Sequence, residues 1–333
     1  MNTTGKLGVA LVGLGYYATE QLATALQQTA HCYLAAVVTG TPSKISYWKE
    51  RYNIAAGNIY SYENFDAIKD NPEVDVVYVV LPNHMHAAFT IRALEAGKHV
   101  ICEKPMGLTV SECDAMIAAA ERTGKNLSIG YRLHYDAYHA EMIRLIKEKV
   151  FGELVSIETT FGIVPQKGEW RLNKKIAGGG PLMDVGIYCL QAACYLTGTE
   201  PLAVTAKQFP VSDAEKFVGV EEKLQWEMEM PGDIIAYCRT SYSEDIGFLK
   251  VNCSNGWFML EPSFNYNGLK FTASDGRNFD LPVFSQQANQ LDGIALSIKS
   301  NQASLVPGQM GRRDLKIIEA IYRAAATGER VVL

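Results

Sequence analysis

The spacing of apolar residues changes partway along the chain and predicts two kinds of sheet. In the first 128 residues, unbroken apolar runs such as Leu7–Val12 and Val76–Leu81 alternate with stretches in which apolar residues recur every three or four positions. Unbroken runs of this length are typical of strands buried on both faces, and their alternation with helices predicts a parallel sheet. We therefore expect an N-terminal α/β domain of the Rossmann type over residues 1–128.

From about residue 150 onward, most apolar segments alternate with polar residues, as strands with one buried face do. Turn sequences such as Met230-Pro231-Gly232-Asp233 separate them. The predicted strands are Glu153–Phe161, Leu202–Gln208, Glu222–Met230, Ile234–Ser241, Gly247–Cys253, Gly256–Glu261 and Leu269–Ala273. This pattern predicts an α+β domain over residues 129–333 with a large, mostly antiparallel, open sheet.

Two helical patterns, Asp184–Thr197 and Arg313–Thr327, would cover only one face of that sheet. A second copy of the chain is the natural cover for the other face. We therefore expect a homodimer or homotetramer that assembles through the C-terminal sheet.

Composition excludes several classes of function. The formal net charge of −5 and the absence of dense Lys or Arg runs argue against nucleic-acid binding. No apolar run reaches membrane-spanning length, and Met1–Lys6 shows no export signal. Seven cysteines without a Cys-x-x-Cys pair fit a reduced compartment. These features predict a cytoplasmic protein without a structural metal.

A glycine turn follows the first predicted strand. Gly13-Leu14-Gly15-Tyr16-Tyr17-Ala18 stands between that strand and a helical pattern, which is the order that a dinucleotide-binding fold requires. The first glycine permits the turn, and the second lets the backbone approach a pyrophosphate at the helix N-terminus. We therefore expect a nicotinamide dinucleotide as cofactor.

The end of the second strand favours NADP over NAD. NAD-specific sites usually have Asp or Glu here, whereas this chain has Thr39-Gly40-Thr41-Pro42-Ser43-Lys44. Hydroxyls and an ammonium group can hold a 2′-phosphate by charge-assisted hydrogen bonds, although Lys44 can also be an ordinary solvated lysine.

Two later strands end in polar groups at the edge of the sheet where open α/β folds bind ligands. Pro82-Asn83-His84-Met85-His86 follows one strand, and Glu103-Lys104-Pro105 follows the next. His84 and His86 alone do not make a metal site, because no third ligand is near in sequence.

Asp184 and Tyr188 stand four residues apart in a helical pattern that follows Gly178-Gly179-Gly180-Pro181. This spacing places both side chains on one face, one turn apart. By itself the pair is compatible with a local hydrogen bond as well as with acid/base chemistry.

Together these motifs resemble the glucose-fructose oxidoreductase / inositol dehydrogenase (Gfo/Idh/MocA) family, and the similarity covers nearly the whole chain. The branch of glucose-fructose oxidoreductase itself is the most similar. The resemblance rests on the glycine turn, Pro82-Asn83-x-x-His86, Ala93-x-x-Ala96-Gly97-Lys98-His99-Val100-x-x-Glu103-Lys104-Pro105, Gly178-Gly179-Gly180-x-x-x-Asp184 and Gly130-Tyr131-Arg132-x-His134-Tyr135-Asp136.

The resemblance implies that the protein oxidises an aldopyranose at C1 to its lactone with NADP. It implies that Lys104 contacts the nicotinamide ribose and the substrate, that Tyr188 is the acid/base, and that Asp184 orients the substrate or Tyr188. The expected cofactor-binding residues are Gly13, Leu14, Gly15, Tyr16, Tyr17, Thr39, Gly40, Lys44, Tyr62, Leu81, Pro82, Asn83, His86, Glu103, Lys104, Arg132, Trp170 and Arg171. The expected substrate-binding residues are Lys104, Arg132, Tyr135, Asp184 and Tyr188.

Three alternatives stay open at this point. The hydride can pass to a second sugar, as in glucose-fructose oxidoreductase. The substrate can instead be that of a xylose or trans-dihydrodiol dehydrogenase, which share the same catalytic residues. A non-catalytic NADP-binding sensor is the third, although intact Lys104 and Tyr188 argue against it because a sensor needs no proton transfer.

Overall fold

The computed structural model describes residues 5–282 and 284–333. Residues 1–4, part of the stretch used above to argue against export, lie outside that range. The strands are β1 Leu7–Val12, β2 Cys32–Val38, β3 Ile59–Tyr60, β4 Val76–Val79, β5 His99–Cys102, β6 Leu127–Ile129, β7 Leu154–Gly162, β8 Ala203–Gln208, β9 Lys223–Met230, β10 Ile234–Ser241, β11 Ile246–Cys253, β12 Gly256–Leu260, β13 Phe271–Ala273 and β14 Val331–Val332.

Helices alternate with these strands in the first part of the chain. Two short π-helical segments, Ala18–Leu22 and Leu182–Gly186, directly precede α-helices. The α-helices are α1 Ala23–Leu26, α2 Ile45–Tyr52, α3 His86–Glu95, α4 Val110–Thr123, α5 Ala137–Lys147, α6 Lys174–Ala177, α7 Ile187–Thr197, α8 Gln286–Lys299 and α9 Gly308–Thr327.

The chain packs as two compact units. The first comprises the chain up to Tyr135 together with Phe284–Arg312, and the second comprises Asp136–Val283 together with Arg313–Leu333. The sequence-based division at residue 128 assigned the whole C-terminal part to the second domain. The segment that contains α8 instead packs with the first unit.

The contacts of α8 explain this difference. The Asp292 carboxylate accepts hydrogen bonds from the amides of Ala30 and His31, both at 2.8 Å, and the Gln290 side chain donates to the Ile129 carbonyl. Each pair is more than 150 residues apart in sequence. A pattern of local apolar spacing carries no information about such contacts.

The first unit contains a six-stranded sheet of order β3-β2-β1-β4-β5-β6, and all of its strands are parallel. The strand order reverses between β1 and β4, so that the carboxyl ends of these strands flank a crevice that binds ligands in open α/β sheets. Val9–Val12 are fully buried, as expected for a central parallel strand. This unit confirms the predicted Rossmann architecture.

The second unit contains an eight-stranded sheet of order β13-β12-β11-β7-β10-β9-β8-β14. Its neighbours pair antiparallel except for β7 and β10, which run parallel in the middle of the sheet. Helix α7 packs on one face of β7 and β10. The predicted mostly antiparallel sheet is therefore confirmed. Its central parallel pair was not predicted.

Candidate active site

The glycine turn after β1 has the geometry that a dinucleotide needs. Gly13 has φ +95°, and a Cβ atom at this position would lie 2.3 Å from the Val80 carbonyl oxygen, so only glycine fits. A Cβ on Gly15 would meet nothing within 4 Å. Leu14 is buried, whereas Gly15 and Tyr16 are exposed and Tyr17 is partly exposed. The backbone at Gly15 is thus open to a large ligand.

The end of β2 approaches the same turn. The Lys44 ammonium donates a 2.7 Å hydrogen bond to the Leu14 carbonyl. Thr39 is buried, and its hydroxyl accepts a hydrogen bond from the Thr41 amide. The Tyr62 ring covers Gly40, where a Cβ atom would lie 2.5 Å from the ring. Four predicted cofactor residues therefore form two pairs, Lys44 with Leu14 and Gly40 with Tyr62, in which the segment 39–44 meets two other parts of the chain.

His86 is the first residue of α3, beyond the loop that follows β4. Its ring is buried, and its nitrogens lie 2.7 Å from the Leu81 carbonyl oxygen and 2.8 Å from that of Pro105. Burial lowers the pKa of His86, and the two carbonyls oppose this effect. Because both nitrogens face carbonyls, the ring joins the loops that follow β4 and β5. Pro82 beside it is partly exposed, and Asn83 is buried.

Glu103 and Lys104 follow β5 in contrasting environments. Glu103 is buried and accepts hydrogen bonds from the Tyr78 hydroxyl at 2.7 Å and the Lys104 amide at 3.2 Å. Burial raises the pKa of Glu103, and these two donors and the Lys104 charge oppose the shift. Lys104 itself is partly exposed between buried neighbours. The strand end therefore holds its carboxylate inside and leaves its lysine accessible.

Arg132 and Tyr135 lie on a short 3₁₀ helix after β6 and pack within the first unit. Arg132 is 2% exposed and donates a hydrogen bond to the Gln286 side chain at the start of α8. The Tyr135 ring packs on Gly293, where a Cβ atom would lie 2.4 Å away. Burial raises the pKa of Tyr135 to about 12, and a hydrogen bond with Ser304 opposes this. Tyr135 is therefore a neutral phenol at ordinary pH.

The triple-glycine turn of the second unit holds the start of the helix that carries Asp184 and Tyr188. The buried Glu221 carboxylate accepts hydrogen bonds from the Gly180 amide at 2.9 Å and the Leu182 amide at 3.1 Å. The Tyr322 hydroxyl donates to it at 2.9 Å. A negative charge at a helix N-terminus is favourable because free amides point toward it. Burial raises the pKa of Glu221, and these donors oppose the shift.

Asp184 and Tyr188 are the two partly exposed residues in the otherwise buried stretch 181–190. The local π-helical turn Leu182–Gly186 contains Asp184, and α7 begins directly after it. Segments of this kind are rare in proteins and often lie at functional sites. Both residues of the predicted shared face are therefore partly exposed at this helix start.

Asp184 is held by two side chains. Arg171 Nη1 lies 3.1 Å from Asp184 Oδ2, and the Tyr242 hydroxyl donates to the same oxygen at 2.9 Å. Arg171 Nε is also 3.1 Å from Glu169 Oε2, and the guanidinium lies 5.6 Å from the centre of the Trp170 ring. Arg171 was expected to bind the cofactor. In the structure it has a carboxylate partner, Asp184, at the start of the helix that contains Tyr188.

Aromatic rings surround Tyr188. Phe161 packs edge-on at 5.4 Å between ring centres, and Phe264 lies at 5.9 Å. Phe264 stacks in turn on the fully buried His139, whose Nε2 faces the Ser263 carbonyl. The ring of Tyr188 is therefore fixed by packing on one side of the helix.

The sequence analysis did not identify three supporting residues. Tyr242 contacts Asp184, Glu221 contacts the triple-glycine turn at Gly180, and Gln286 contacts Arg132. Each contacts its partner across 41 to 154 residues, and none belongs to a motif.

Among the described residues, no group of three or more His, Cys, Asp or Glu side chains is arranged to hold a metal ion. No helix in the described ranges is long and apolar enough to cross a membrane.

Comparison with known proteins adds independent information. A family model described as "Oxidoreductase family, NAD-binding Rossmann fold" (GFO_IDH_MocA) matches residues 7–131, and the model of the GFO/IDH/MocA C-terminal domain matches residues 139–259. The chain is 26% identical to D-xylose 1-dehydrogenase [NADP(+)] of Haloarcula marismortui, over 99% of this chain and 94% of that protein.

Two further similarities concern a solved structure and a diol dehydrogenase. The crystal structure of an aldose-aldose oxidoreductase from Caulobacter crescentus, complexed with glycerol, has a TM-score of 0.96 and 42% identity. That match covers 98% of this chain and all of the other. A trans-1,2-dihydrobenzene-1,2-diol dehydrogenase of Xenopus tropicalis is 24% identical over 72% of each chain.

Proposed function

The chain belongs to the GFO/IDH/MocA oxidoreductase family, and we propose that it is an NADP-dependent enzyme that oxidises an aldopyranose at C1 to the lactone. The observation that carries this proposal is the pair Asp184 and Tyr188, which alone are partly exposed in a buried helix start. Arg171 and Tyr242 hold Asp184, and aromatic rings hold Tyr188. A carboxylate and a phenol fixed in this way suit a reaction that moves a proton from a hydroxyl group.

The residues of the first unit fit a phosphorylated dinucleotide. The open backbone at Gly15 suits a pyrophosphate, and the segment 39–44 offers hydroxyls and the Lys44 ammonium but no carboxylate. When bound, NADP supplies the hydride acceptor at its nicotinamide ring. We assign the 2′-phosphate to Thr39 and Lys44, because a carboxylate at this strand end would select NAD.

The side chains of the protein then accept the proton that the substrate hydroxyl loses. Oxidation at C1 removes a hydride from carbon and a proton from the hydroxyl oxygen, and a C=O bond forms. We assign the proton to the Tyr188 oxygen and the orientation of the substrate to Asp184. The family resemblance assigns Lys104 to the substrate and the nicotinamide ribose.

The sugar substrate is supported by the relatives named above. One is a D-xylose 1-dehydrogenase that uses NADP, and another is an aldose-aldose oxidoreductase. The second name supports transfer of the hydride onward to a second sugar. The similarity to a trans-dihydrodiol dehydrogenase keeps a vicinal diol as a second candidate substrate.

We further propose a homodimer or homotetramer that forms through the open face of the second sheet. Tyr237 is 43% exposed on that face, while Ala236 and Cys238 beside it in β10 point to the buried face.

A cytoplasmic location is supported by the seven cysteines, all of which are free thiols. The division of labour between cofactor binding in the first unit and substrate binding in the second is part of the same proposal.

The test is the variant Tyr188→Phe, measured by NADP reduction with glucose, xylose and a trans-dihydrodiol. We expect kcat to fall about 10²- to 10⁴-fold, because general-base catalysis is lost. NADP binding, followed by nucleotide fluorescence, should persist, and the variant Tyr47→Phe, on an exposed tyrosine of α2, should behave as wild type. Full turnover of Tyr188→Phe would remove the assigned role. A wild-type protein that oxidises none of these substrates would contradict the proposal.

A spectrum of the purified protein separates the two sugar mechanisms. Nucleotide that survives gel filtration and is reduced by glucose would indicate hydride transfer between two sugars at a tightly held cofactor. A protein that needs added NADP would be a conventional dehydrogenase.

A further inference from the structure

Tyr242 is a buried tyrosine whose hydroxyl reaches the candidate site. It follows the last residue of β10, and its amide donates a 2.8 Å hydrogen bond to the Glu222 carbonyl. Its ring is fully buried in a small apolar cluster with Leu172, Val185, Phe217 and Val220. Backbone and ring are therefore both fixed, and only the hydroxyl extends beyond the cluster, to Asp184.

In the contact with Asp184, the Tyr242 hydroxyl is always the hydrogen-bond donor. Burial, followed by the negative charge of Asp184, raises the pKa of Tyr242 well above 10. The phenol therefore remains protonated at ordinary pH and donates to Asp184 Oδ2 at 2.9 Å. A buried hydroxyl needs a partner, and a carboxylate is the acceptor that gains most from it.

Arg171 donates a hydrogen bond to the same oxygen at 3.1 Å, from a more exposed position. It lies on the short 3₁₀ helix Trp170–Leu172, and a quarter of its side chain is exposed. Its Nε is 3.1 Å from Glu169 but is not aligned for a hydrogen bond. Arg171 therefore supplies charge and a hydrogen bond from a partly exposed side chain, whereas Tyr242 supplies a hydrogen bond from a fully buried ring.

We propose that Tyr242 is a positioning residue, which fixes the orientation and the charge of Asp184 by donating a hydrogen bond to Oδ2. The inference rests on the proposed function, in which Asp184 orients the substrate. Tyr242 itself acts only through Asp184. It stands outside every motif that carries the family resemblance, so the structure alone identifies it.

The expected effect follows from the groups that surround Asp184. Arg171 and Tyr242 contact the carboxylate directly, Glu169 and Tyr266 interact with Arg171, and Glu221 interacts with Tyr242. Removal of the Tyr242 hydroxyl leaves the cation and takes away one donor to the charged form. The pKa of Asp184 should then rise by about one pH unit, since a lost bond to a charged group costs about tenfold or more.

The experiment compares Tyr242→Phe, Asp184→Asn and the double variant in the full-length protein with NADP and an aldose. In Tyr242→Phe, the acid limb of the kcat/KM profile should move up by about one pH unit, with about a tenfold loss on that limb. Asp184→Asn should lack the limb, and the double variant should match Asp184→Asn. The matched control is Tyr138→Phe, whose buried hydroxyl in the same unit accepts from the Leu281 amide instead.

Urea unfolding of wild type, Tyr242→Phe, Asp184→Asn and the double variant gives a readout that needs no catalysis. These proteins form a double-mutant cycle. The inference is supported if the two substitutions change the free energy of unfolding by an amount that differs from the sum of their separate effects. That coupling would stand even if wild type oxidised no aldose, a result that contradicts only the proposed function. Additive unfolding energies, or a Tyr242→Phe profile with the wild-type acid limb, would overturn the inference. Loss of activity in Tyr242→Phe without a shifted acid limb, the pattern that a merely structural effect would give, would overturn it too.

Discussion

Substitution of Gly180 by alanine should disturb the start of the helix that contains Asp184 and Tyr188, because the added methyl group would collide with Glu221. A Cβ atom on Gly180 would lie 2.4 Å from the Glu221 carbonyl oxygen and 2.9 Å from its carboxylate carbon. Ordinary contacts begin at 3.4 Å, so the backbone at residue 180 must move about 1 Å away from the backbone at Glu221. Gly180 is not among the glycines with positive φ, so alanine adds no backbone strain of its own.

The size of the effect follows from what must move. Overpacking of this kind costs about 1–3 kcal/mol, which in a unit of this size lowers Tm by roughly 2–4 °C per kcal/mol. The same Glu221 binds the Gly180 and Leu182 amides, so the displacement reaches the turn that contains Asp184. A displacement of about 1 Å at a reacting group can cost about 10²-fold in rate.

Steady-state kinetics and thermal melts measured by circular dichroism test this prediction. We expect kcat/KM to fall about 100-fold, beyond what the modest loss of Tm explains. The control is Gly57→Ala, where a Cβ atom meets nothing within 4 Å. The neighbouring variant Gly179→Ala should be partly rescued by Tyr322→Phe, because its Cβ would lie 2.1 Å from the Tyr322 hydroxyl oxygen. Wild-type Tm and kcat/KM in Gly180→Ala would refute the reasoning.

Two further predictions concern the cofactor and the assembly. Lys44→Ala should raise the KM for NADP about 10- to 100-fold and leave that for NAD nearly unchanged, because a charge-assisted bond to phosphate is lost. An equal loss for both nucleotides would instead assign Lys44 to its bond with the Leu14 carbonyl. Tyr237→Lys, which places a charge on the open sheet face, should lower the molar mass measured by light scattering. An unchanged oligomer mass, or a wild-type monomer, would contradict assembly through that face.

Local patterns in the sequence predicted most elements well. Strand β1 was predicted over its observed range, and the prediction for β9 differs by one residue at its start. Their apolar spacing is strong because each lies against a buried face. Helix α9 begins at Gly308, five residues before its predicted start at Arg313. Glycines within its first turn conceal the periodicity there.

Long-range pairing could not be predicted from the same patterns. The parallel alignment of β7 and β10 joins segments about 80 residues apart, and an alternating strand looks the same in parallel and antiparallel pairs. In the candidate site, the motif residues were predictable because chemistry restricts their types. Tyr242 was not, since an aromatic residue after a strand is usually a core residue.

The packing of α8 in the first unit determines when that unit can finish folding during synthesis. Its nucleotide-binding sheet is encoded before residue 130, yet α8, which binds the Ala30 and His31 amides through Asp292, is translated more than 150 residues later. A ribosome adds roughly 5–20 residues per second, so the nascent sheet waits on the order of ten seconds or longer for this helix. During that interval the apolar side of α8, including Leu291 and Ile294, is missing from the unit. The last step in building the dinucleotide domain therefore follows synthesis of most of the second unit's sheet.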